Sequence, residues 1–588
     1  MMNVSIRKTC NTAVLAALLL AAGCKKPRKT TSVENTTDYA GNLQALVATK
    51  KLPSLRWPNF SDYQAYVTQF YNDRNFEVAW TRDGKPTAAA QGFMQAFQNA
   101  DAKGLIPEDY DASLWAGRVA KLQGKPADAI SEFDVAMTVN AMRYISDLRI
   151  GRVNPSHFNF DIDVKSKKYD LAEFVSDHAV DETDVPKLIA SVEPDSEQYR
   201  KTEAALGQYL QLAKQQAASP VLSKPLLMVA KQVGVGDAYH DAPALLLRLR
   251  LEGDAGGIVS GDDVSLPPIP QVFDDDLSSA VKYYQERHGI SPDGKLGPQT
   301  VKSLNVPMAD RVVQLDNSLE RWRWLPEQYV NAPLMVNLPE FLLRGYDASH
   351  KLDFKMKVVV GKVVGEHETP VFAHMMKYLV FRPFWNVPQD IAKKELVPHM
   401  NATPGYLESK NYEVVNSKGE VQTEYATKQV AQGGYMVRER PGPKNSLGLV
   451  KFMFPNQYDI YLHSTPQPYL FDRSRRDFSH GCVRVQKPED LAVWVLQGQK
   501  DKDGEDWDVD KVHEAMTDGQ DNRTVALKTQ IPIVIFYLTG LVEEDGQVHF
   551  FDDIYGYDAA MQKVLQKGPP YPVKPEPVVP KTKPGDTV

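Results

Sequence analysis

The chain has 588 residues, of which 43% are apolar and 24% are charged, and its formal net charge is −7. This composition is ordinary for globular proteins, and the length predicts about three or four domains. The modest negative charge argues against nucleic acid as a partner. The three cysteines are too few for a disulfide framework; they are Cys10, Cys24 and Cys482.

Residues 1–23 have the pattern of an export signal. Arg7 and Lys8 precede an apolar run, residues 13–22, that is far too short to span a bilayer. The run ends in Leu-Ala-Ala-Gly-Cys24, which resembles the lipobox of bacterial lipoproteins, although Ala21 stands where Leu is usual. We therefore expect cleavage before Cys24 and a lipid anchor on it, with residues 24–39 as a flexible tether. A plain secretory signal is the alternative, and it also predicts export.

Residues 40–260 have a helical pattern. Apolar side chains recur at the 3–4 spacing of a helix face, and Gly151 with Pro155 beyond it provides a stop signal. No cluster of titratable residues in this part suggests chemistry. The apolar positions are Phe133, Met137, Ala141, Tyr144 and Leu148.

Residues 272–307 form a second predicted unit, after a linker marked by Pro267, Pro268 and Pro270. Leu277, Val281 and Tyr284 lie on one predicted helix face, and residues 292–294 (Pro-Asp-Gly) form a turn. Residues 285–297 resemble the small three-helix peptidoglycan-binding module. A core of this size is marginal alone, so we expect it to dock on larger neighbours. Its sequence leaves open whether it binds glycan or is purely structural.

Beyond about residue 330, apolar residues recur at every second position instead of every third or fourth. Phe354, Met356 and Val358 alternate with lysines, and Tyr458 to Leu462 alternate likewise, which predicts strands. A mainly-β domain over residues 330–540 follows, with His463 at the end of a strand. Residues 541–566 are expected to pack on this body, and the Pro-rich residues 567–588 to form a disordered tail.

Two short stretches of this domain concentrate reactive side chains. They read Tyr461-Leu462-His463-Ser464 and Ser479-His480-Gly481-Cys482-Val483-Arg484. A thiolate is the attacking form of cysteine, and a neighbouring imidazole can supply the base. Gly481 allows a tight turn that would aim backbone N–H groups at a developing oxyanion. The alternative is a buried structural cysteine. No zinc-ligand spacing occurs, and no cofactor is predicted.

The order of these residues resembles the active-site signature of the L,D-transpeptidases, cysteine acyltransferases that cross-link peptidoglycan. The upstream histidine, the serine before His-Gly-Cys and the arginine after it carry the match. Papain-type proteases place the cysteine upstream of the histidine, so the order in this chain argues against that class of thiol enzyme. Residues 104–110, 147–153 and 384–388 are similar to the large Gram-negative branch, which has a helical scaffold domain. Residues 388–437 resemble the lid of that branch.

The resemblance implies a multidomain α+β fold, and it also implies a role for each residue of the site. Cys482 would be the nucleophile and His463 the base, with the Ser464 region holding the imidazole. His480 would orient or assist, and Arg484 would bind a substrate carboxylate or form a scaffold salt bridge. The supporting positions are Ser479, which would hold the loop, Gly481, and Tyr461, whose hydroxyl would face the oxyanion.

The implied partners are peptidoglycan stem peptides joined by 3→3 cross-links, in the periplasm of a Gram-negative envelope. Through Cys24 the protein would be anchored to a membrane, with the outer membrane as the favoured one. Three alternatives remain open. In the first, the acyl-enzyme is released to water, which would make the protein a carboxypeptidase or a cross-link hydrolase. In the second, the acyl group is transferred to a lipoprotein. Both would use the same site residues. A non-catalytic wall-binding scaffold is the alternative of a different class.

Overall fold

A computed structural model of the chain describes residues 39–257, 265–363 and 367–572. The predicted signal, nearly all of the tether, the lipidation site Cys24 and residues 573–588 of the predicted tail lie outside the described residues. None of the helices in the described ranges combines the length and apolar character needed to cross a bilayer.

The first body is helical and has its own core, contributed by residues 43–192. The long helix α5 runs through the centre of this core. It therefore buries side chains on all sides and not only those of the predicted apolar face. Asp134 is fully buried there because it accepts hydrogen bonds from the backbone of Ala79 and Trp80 and from the Tyr71 hydroxyl. The elements are α1 Tyr39–Ala48, α2 Gln64–Asp73, β1 Thr81–Arg82, β2 Lys85–Pro86, α3 Ala88–Gln98, α4 Trp115–Lys121, α5 Ala127–Ile150, α6 Leu171–Phe174 and α7 Val185–Val192.

The rest of the predicted helical region divides between two other cores, which corrects the prediction of one scaffold unit over residues 40–260. Helix α8 packs along α13 and joins the core of the β domain. Leu226, Tyr239 and Leu245 instead share a core with Leu277 and Tyr284 of the predicted module. Residues 272–307 are too short to enclose a core, so the preceding segment completes it. The helices are α8 Glu197–Ala218, α9 Pro220–Ser223, α10 Ala242–Leu251, α11 Asp275–Arg287, α12 Pro298–Leu304, α13 Met308–Trp324 and α14 Glu327–Val330.

The third body is a sheet that closes on itself. Its strand order is β5-β13-β11-β10-β6-β14-β3-β4, and β4 pairs again with β5, while β12 adds to the outside of β5. Its side chains belong to the largest apolar core among the described residues, which also includes side chains of the packed helices. The strands are β3 Leu334–Asn337, β4 Leu342–Tyr346, β5 Leu352–Gly361, β6 Phe372–Phe381, β10 Val450–Met453, β11 Leu462–His463, β12 Asp477–Ser479, β13 Val483–Val485 and β14 Arg523–Phe536.

An insertion between β6 and β10 has a small core of its own, formed by Val387, Leu396, Val414 and Val437 among others. Its three strands pair in the order β7-β9-β8, and a π-helical turn, residues 392–396, follows its first helix. Its elements are β7 Trp385–Asn386, α15 Gln389–Ile391, α16 Val397–Ala402, α17 Tyr406–Ser409, β8 Tyr412–Val415, α18 Thr427–Ala431 and β9 Met436–Glu439. This insertion is called the lid below.

The carboxy-terminal elements pack on the closed sheet. Residues 567–572 do not belong to a disordered tail, because Tyr571 packs on the main core and Gly568 lies so close to Trp57 that a Cβ would approach its ring to 2.4 Å. The elements are α19 Pro488–Leu496, α20 Val509–Thr517, β15 Gly540–Val542, β16 Val548–Phe550 and α21 Tyr557–Leu565.

The strand predicted from Tyr458 to Leu462 is shorter in the structure, since only β11 is extended. Asn456 causes the difference. Its side-chain oxygen accepts from the backbone N–H groups of Tyr458 and Ile460, and Asp459 adopts a left-handed φ of 53°. A short amide side chain competes with strand pairing in this way. The resulting turn brings the Asp459 carbonyl to the nucleophile loop.

Candidate active site

Strand register brings the predicted site residues onto one face of the closed sheet. In β11 and β13, Leu462 pairs with Val483 and His463 pairs with Arg484, and the Leu462–Val483 pair faces the core. Because side chains alternate between the faces of a strand, Tyr461, His463, Cys482 and Arg484 lie on the opposite face. Lys451 of β10 pairs with His463 from the other side and joins the same face. No local sequence motif marks Lys451 as a site residue.

Cys482 is half-buried, and its sulfur lies among groups of Tyr461 and Asp459. The thiol donates to the Asp459 carbonyl at 3.6 Å, and both the backbone and the hydroxyl of Tyr461 are hydrogen-bond partners of the sulfur. Loss of hydration raises the pKa of Cys482 to about 11; the Tyr461 contacts and the Lys451 charge lower it, and the Asp459 carboxylate raises it. The resting nucleophile is therefore a neutral thiol.

His463 is buried and held by backbone carbonyls. Its Nδ1 lies 2.6 Å from the Ser464 carbonyl oxygen. A carbonyl only accepts, so Nδ1 carries the proton and the lone pair is on Nε2. Burial, together with the charges of Arg484 and Lys451, lowers the pKa of His463 to about 3, while the Ser464 and Leu447 carbonyls act in the opposite direction. The imidazole is thus neutral at rest, so it can accept a proton only as that proton leaves the thiol during attack.

Gly448 fixes the position of the Ser464 carbonyl. Gly448 has a left-handed φ of 62°, and a Cβ at this residue would lie 2.3 Å from the Ser464 Oγ. Ser464 also donates its backbone N–H to the Val450 carbonyl at 2.9 Å. Ser464 therefore acts on the site through its backbone, which orients the His463 ring.

The loop that carries Cys482 is held by hydrogen bonds between its own residues, and these contacts correct the expectation that the Gly481 N–H faces an oxyanion. Ser479 Oγ donates to the Cys482 carbonyl at 2.6 Å and accepts the Gly481 N–H at 3.1 Å. The Gly481 N–H is therefore occupied and does not face an oxyanion. Gly481 has a φ of 121°, and its carbonyl accepts from Thr369 Oγ1 at 2.6 Å. Thr369 is fully buried and far away in sequence, so no local pattern identifies it.

Arg484 has no carboxylate within ion-pair distance among the described residues. Its Nη1 donates to Gln467 Oε1 at 2.9 Å, and its Nε has no hydrogen-bond partner in the described ranges. Burial lowers the pKa of Arg484. The expected scaffold salt bridge is thus absent from the described residues, and a planar donor remains available for an anion.

His480 contacts the lid. Its Nε2 lies 2.8 Å from Glu395 Oε1 in the π-helical turn and 3.5 Å from Lys362 Nζ, and its ring packs edge-on against His367 with centroids 4.8 Å apart. The His480 side chain therefore connects the nucleophile loop to the lid, and the Cys482 sulfur has no hydrogen bond to it within the described chain.

Replacing Glu395 by glutamine is expected to loosen the lid. The pair is half exposed, so it contributes at most about 1 kcal/mol, which corresponds to about a fivefold change in lid opening. Limited proteolysis should cut within residues 385–439 twofold to fivefold faster, with an unchanged melting temperature. Glu424→Gln, on an exposed lid residue, is the matched control. Equal cleavage of the Glu395 variant and the wild-type protein would show that this contact does not hold the lid.

Arg382 and Trp385 lie where the lid leaves β6. Arg382 adopts a left-handed φ of 45° and its Nε donates to Asp521 at 2.8 Å. A left-handed φ is uncommon for arginine, and the Asp521 contact holds the side chain in this conformation. Trp385 is half-buried in the lid, with its ring 6.4 Å from that of Tyr412. No set of three or more histidine, cysteine or acidic side chains in the described ranges could hold a metal.

Comparison with known families agrees with this geometry. Residues 332–512 match the model of the L,D-transpeptidase catalytic domain, residues 65–206 match a scaffold domain, and residues 261–304 match a "putative peptidoglycan binding domain". Residues 332–512 are thus similar to an L,D-transpeptidase catalytic domain. The chain is 28% identical over 277 residues to a "Putative L,D-transpeptidase" of Haemophilus influenzae, a match covering 46% of this chain. The chain spans about half, 54%, of that relative's length.

Proposed function

We propose that this protein is a peptidoglycan L,D-transpeptidase that forms 3→3 cross-links through a thioester on Cys482. One observation carries the proposal: strand register sets Tyr461, His463 and Cys482 side by side on one sheet face, within a domain that matches the L,D-transpeptidase family. A half-buried cysteine with hydrogen-bond donors at its sulfur, on the same sheet face as a neutral imidazole, is an arrangement suited to acyl transfer.

In the first step, the Cys482 sulfur attacks the carbonyl on the L-centre side of the L,D peptide bond of a tetrapeptide stem. The S–C bond forms as His463 Nε2 takes the thiol proton. The C–N bond then breaks, and the same proton passes to the amine of the departing D-alanine. The Ser464 and Leu447 carbonyls stabilise the imidazolium during this passage.

Two donors support the developing oxyanion in this proposal. The Tyr461 hydroxyl already contacts the sulfur, and the Cys482 N–H has no hydrogen bond to another described residue. Donors fixed before the reaction stabilise negative charge without reorganisation. Arg484 is proposed to bind a carboxylate of the stem peptide, which would also offset the positive charge beside His463.

In the second step, the side-chain amine of an acceptor stem attacks the thioester, and the thiol is restored. A thioester is a better acyl donor than the original amide, so no ATP is needed. These substrates belong to the cell envelope. With the predicted export signal, this favours a periplasmic enzyme anchored through Cys24, and the module is proposed to dock on the same polymer.

Product analysis tests this proposal. The protein without residues 1–23 is incubated with tetrapeptide-stem muropeptides, and the protein mass and products are followed together. Cross-linked dimers, and a protein adduct missing from Cys482→Ala, are the expected result. Trimmed monomers without dimers would indicate a carboxypeptidase instead. Binding of peptidoglycan with no adduct and no product would indicate a non-catalytic scaffold.

A further inference from the structure

Lys451 lies on the active-site face without an anionic partner. It is half-buried, and it forms no ion pair and no side-chain hydrogen bond with any described residue. Its strand position pairs directly with His463, and its Nζ lies 5.5 Å from the centre of the Tyr461 ring. A half-buried ammonium without a counter-charge lowers the stability of the fold. Its presence at this position therefore points to a role in the site.

We propose that Lys451 is the cation that stabilises the Cys482 thiolate as it forms. The inference rests on the proposed function, since it takes Cys482 as the nucleophile. Lys451, Tyr461 and Cys482 form a layer: the ammonium lies over the tyrosine ring, and the tyrosine hydroxyl and backbone reach the sulfur. The negative charge that appears on the sulfur during attack therefore develops beside a fixed positive charge.

The charges around the sulfur support this assignment. Burial lowers the pKa of Lys451, and Cys482 raises it; Lys451 in turn lowers the pKa of Cys482. The opposing charge is Asp459, whose side chain is exposed and therefore more strongly screened by water and salt. Arg484 and His463 complete the groups on this face, and Lys362, His367, His480 and Glu395 lie on the lid side.

The arrangement has a chemical consequence. Neutral His463 is a poor acceptor while two cations lie beside it, so an imidazolium–thiolate pair does not form in the resting enzyme. Lys451 lowers the free energy of the thiolate without itself taking the proton. The proton still goes to His463 Nε2, and Lys451 acts as a charge-stabilising residue that need not touch the substrate.

The test is alkylation of Cys482 by iodoacetamide as a function of pH, with Cys482→Ala as the background. Lys451→Met is expected to slow alkylation threefold to tenfold at pH 8, because one pKa unit is a tenfold change in thiolate and the more basic thiolate is intrinsically more reactive. Lys451→Arg should restore most of the rate. Asp459→Asn should have the opposite effect and accelerate alkylation.

Lys377→Met is the matched control, since Lys377 is an exposed lysine on the adjacent strand β6. Thermal unfolding identifies any variant that is misfolded, and Lys451→Gln is a second neutral variant. A Lys451→Met protein that is folded and alkylates at the wild-type rate at every pH would overturn the inference. An increased KM for stem peptides with unchanged alkylation would overturn it too, and would make Lys451 a substrate anchor. Alkylation needs no peptidoglycan, so this result is independent of whether the protein transfers or hydrolyses acyl groups.

Discussion

Cys482→Ala is expected to reduce acyl-enzyme formation at least about 10⁴-fold, to the background of the assay. Removal of a nucleophile abolishes the covalent step, and the remaining groups of the site can only bind and polarise the substrate. The measurement is the mass of the intact protein after incubation with a tetrapeptide stem, followed over time against the wild-type protein.

His463→Gln separates the base from the nucleophile in the same assay. It keeps Cys482 and its Tyr461 contacts, so we expect a loss of about 10²–10⁴-fold, the usual range for a general base. His480→Gln should cost much less, because His480 contacts Glu395 of the lid and not the sulfur. A larger loss with His480→Gln than with His463→Gln would reverse the assignment of the base.

Fold integrity is the control for these variants. Cys482 is partly exposed, and the loop around it is held by the Ser479 side chain and by Thr369, neither of which needs the thiol. The melting temperature of Cys482→Ala should therefore stay close to that of the wild-type protein. An adduct that forms as fast on Cys482→Ala as on the wild-type protein would exclude the proposed mechanism.

Glu320→Ala is expected to lower the free energy of unfolding by about 3–5 kcal/mol, the cost of removing one partner of a buried ion pair. Glu320 is fully buried in α13, where it joins the helical body to the β domain. One carboxylate oxygen accepts the backbone N–H groups of Arg152 and Val153, and the other accepts from Arg152 Nε at 3.2 Å. The substitution leaves the Arg152 guanidinium and two N–H groups without this acceptor.

Urea unfolding followed by circular dichroism measures this effect. Glu327→Ala is the matched control: Glu327 is exposed in the next helix, and a change within about 0.5 kcal/mol is expected. Glu320→Gln keeps the shape and loses the charge, so its stability should fall between the two. A Glu320→Ala protein as stable as the control would mean that the junction is held by apolar packing alone.

Much of the architecture follows from local sequence. The period of two predicts β5, and the 3–4 spacing around Phe133 predicts α5, because each pattern reflects how one element buries its own side chains. The family resemblance likewise names the multidomain α+β fold and the L,D-transpeptidase domain, which the comparisons confirm. The shorter β11 was not predicted, since the Asn456 turn competes with an alternating apolar pattern.

The sequence by itself determined which reactive residues the chain carries, because Cys482 and His463 stand in short motifs whose spacing is local. Only the tertiary structure decided how they are surrounded. Lys451 reaches the site through pairing of strands that are distant in sequence, and Thr369 reaches it through a side-chain hydrogen bond to the Gly481 carbonyl. The Gly481 N–H is occupied by Ser479, and His480 contacts the lid. The division of residues 40–260 among three cores has the same origin. Strand register and shared cores depend on contacts between distant segments, and a local pattern contains no information about them.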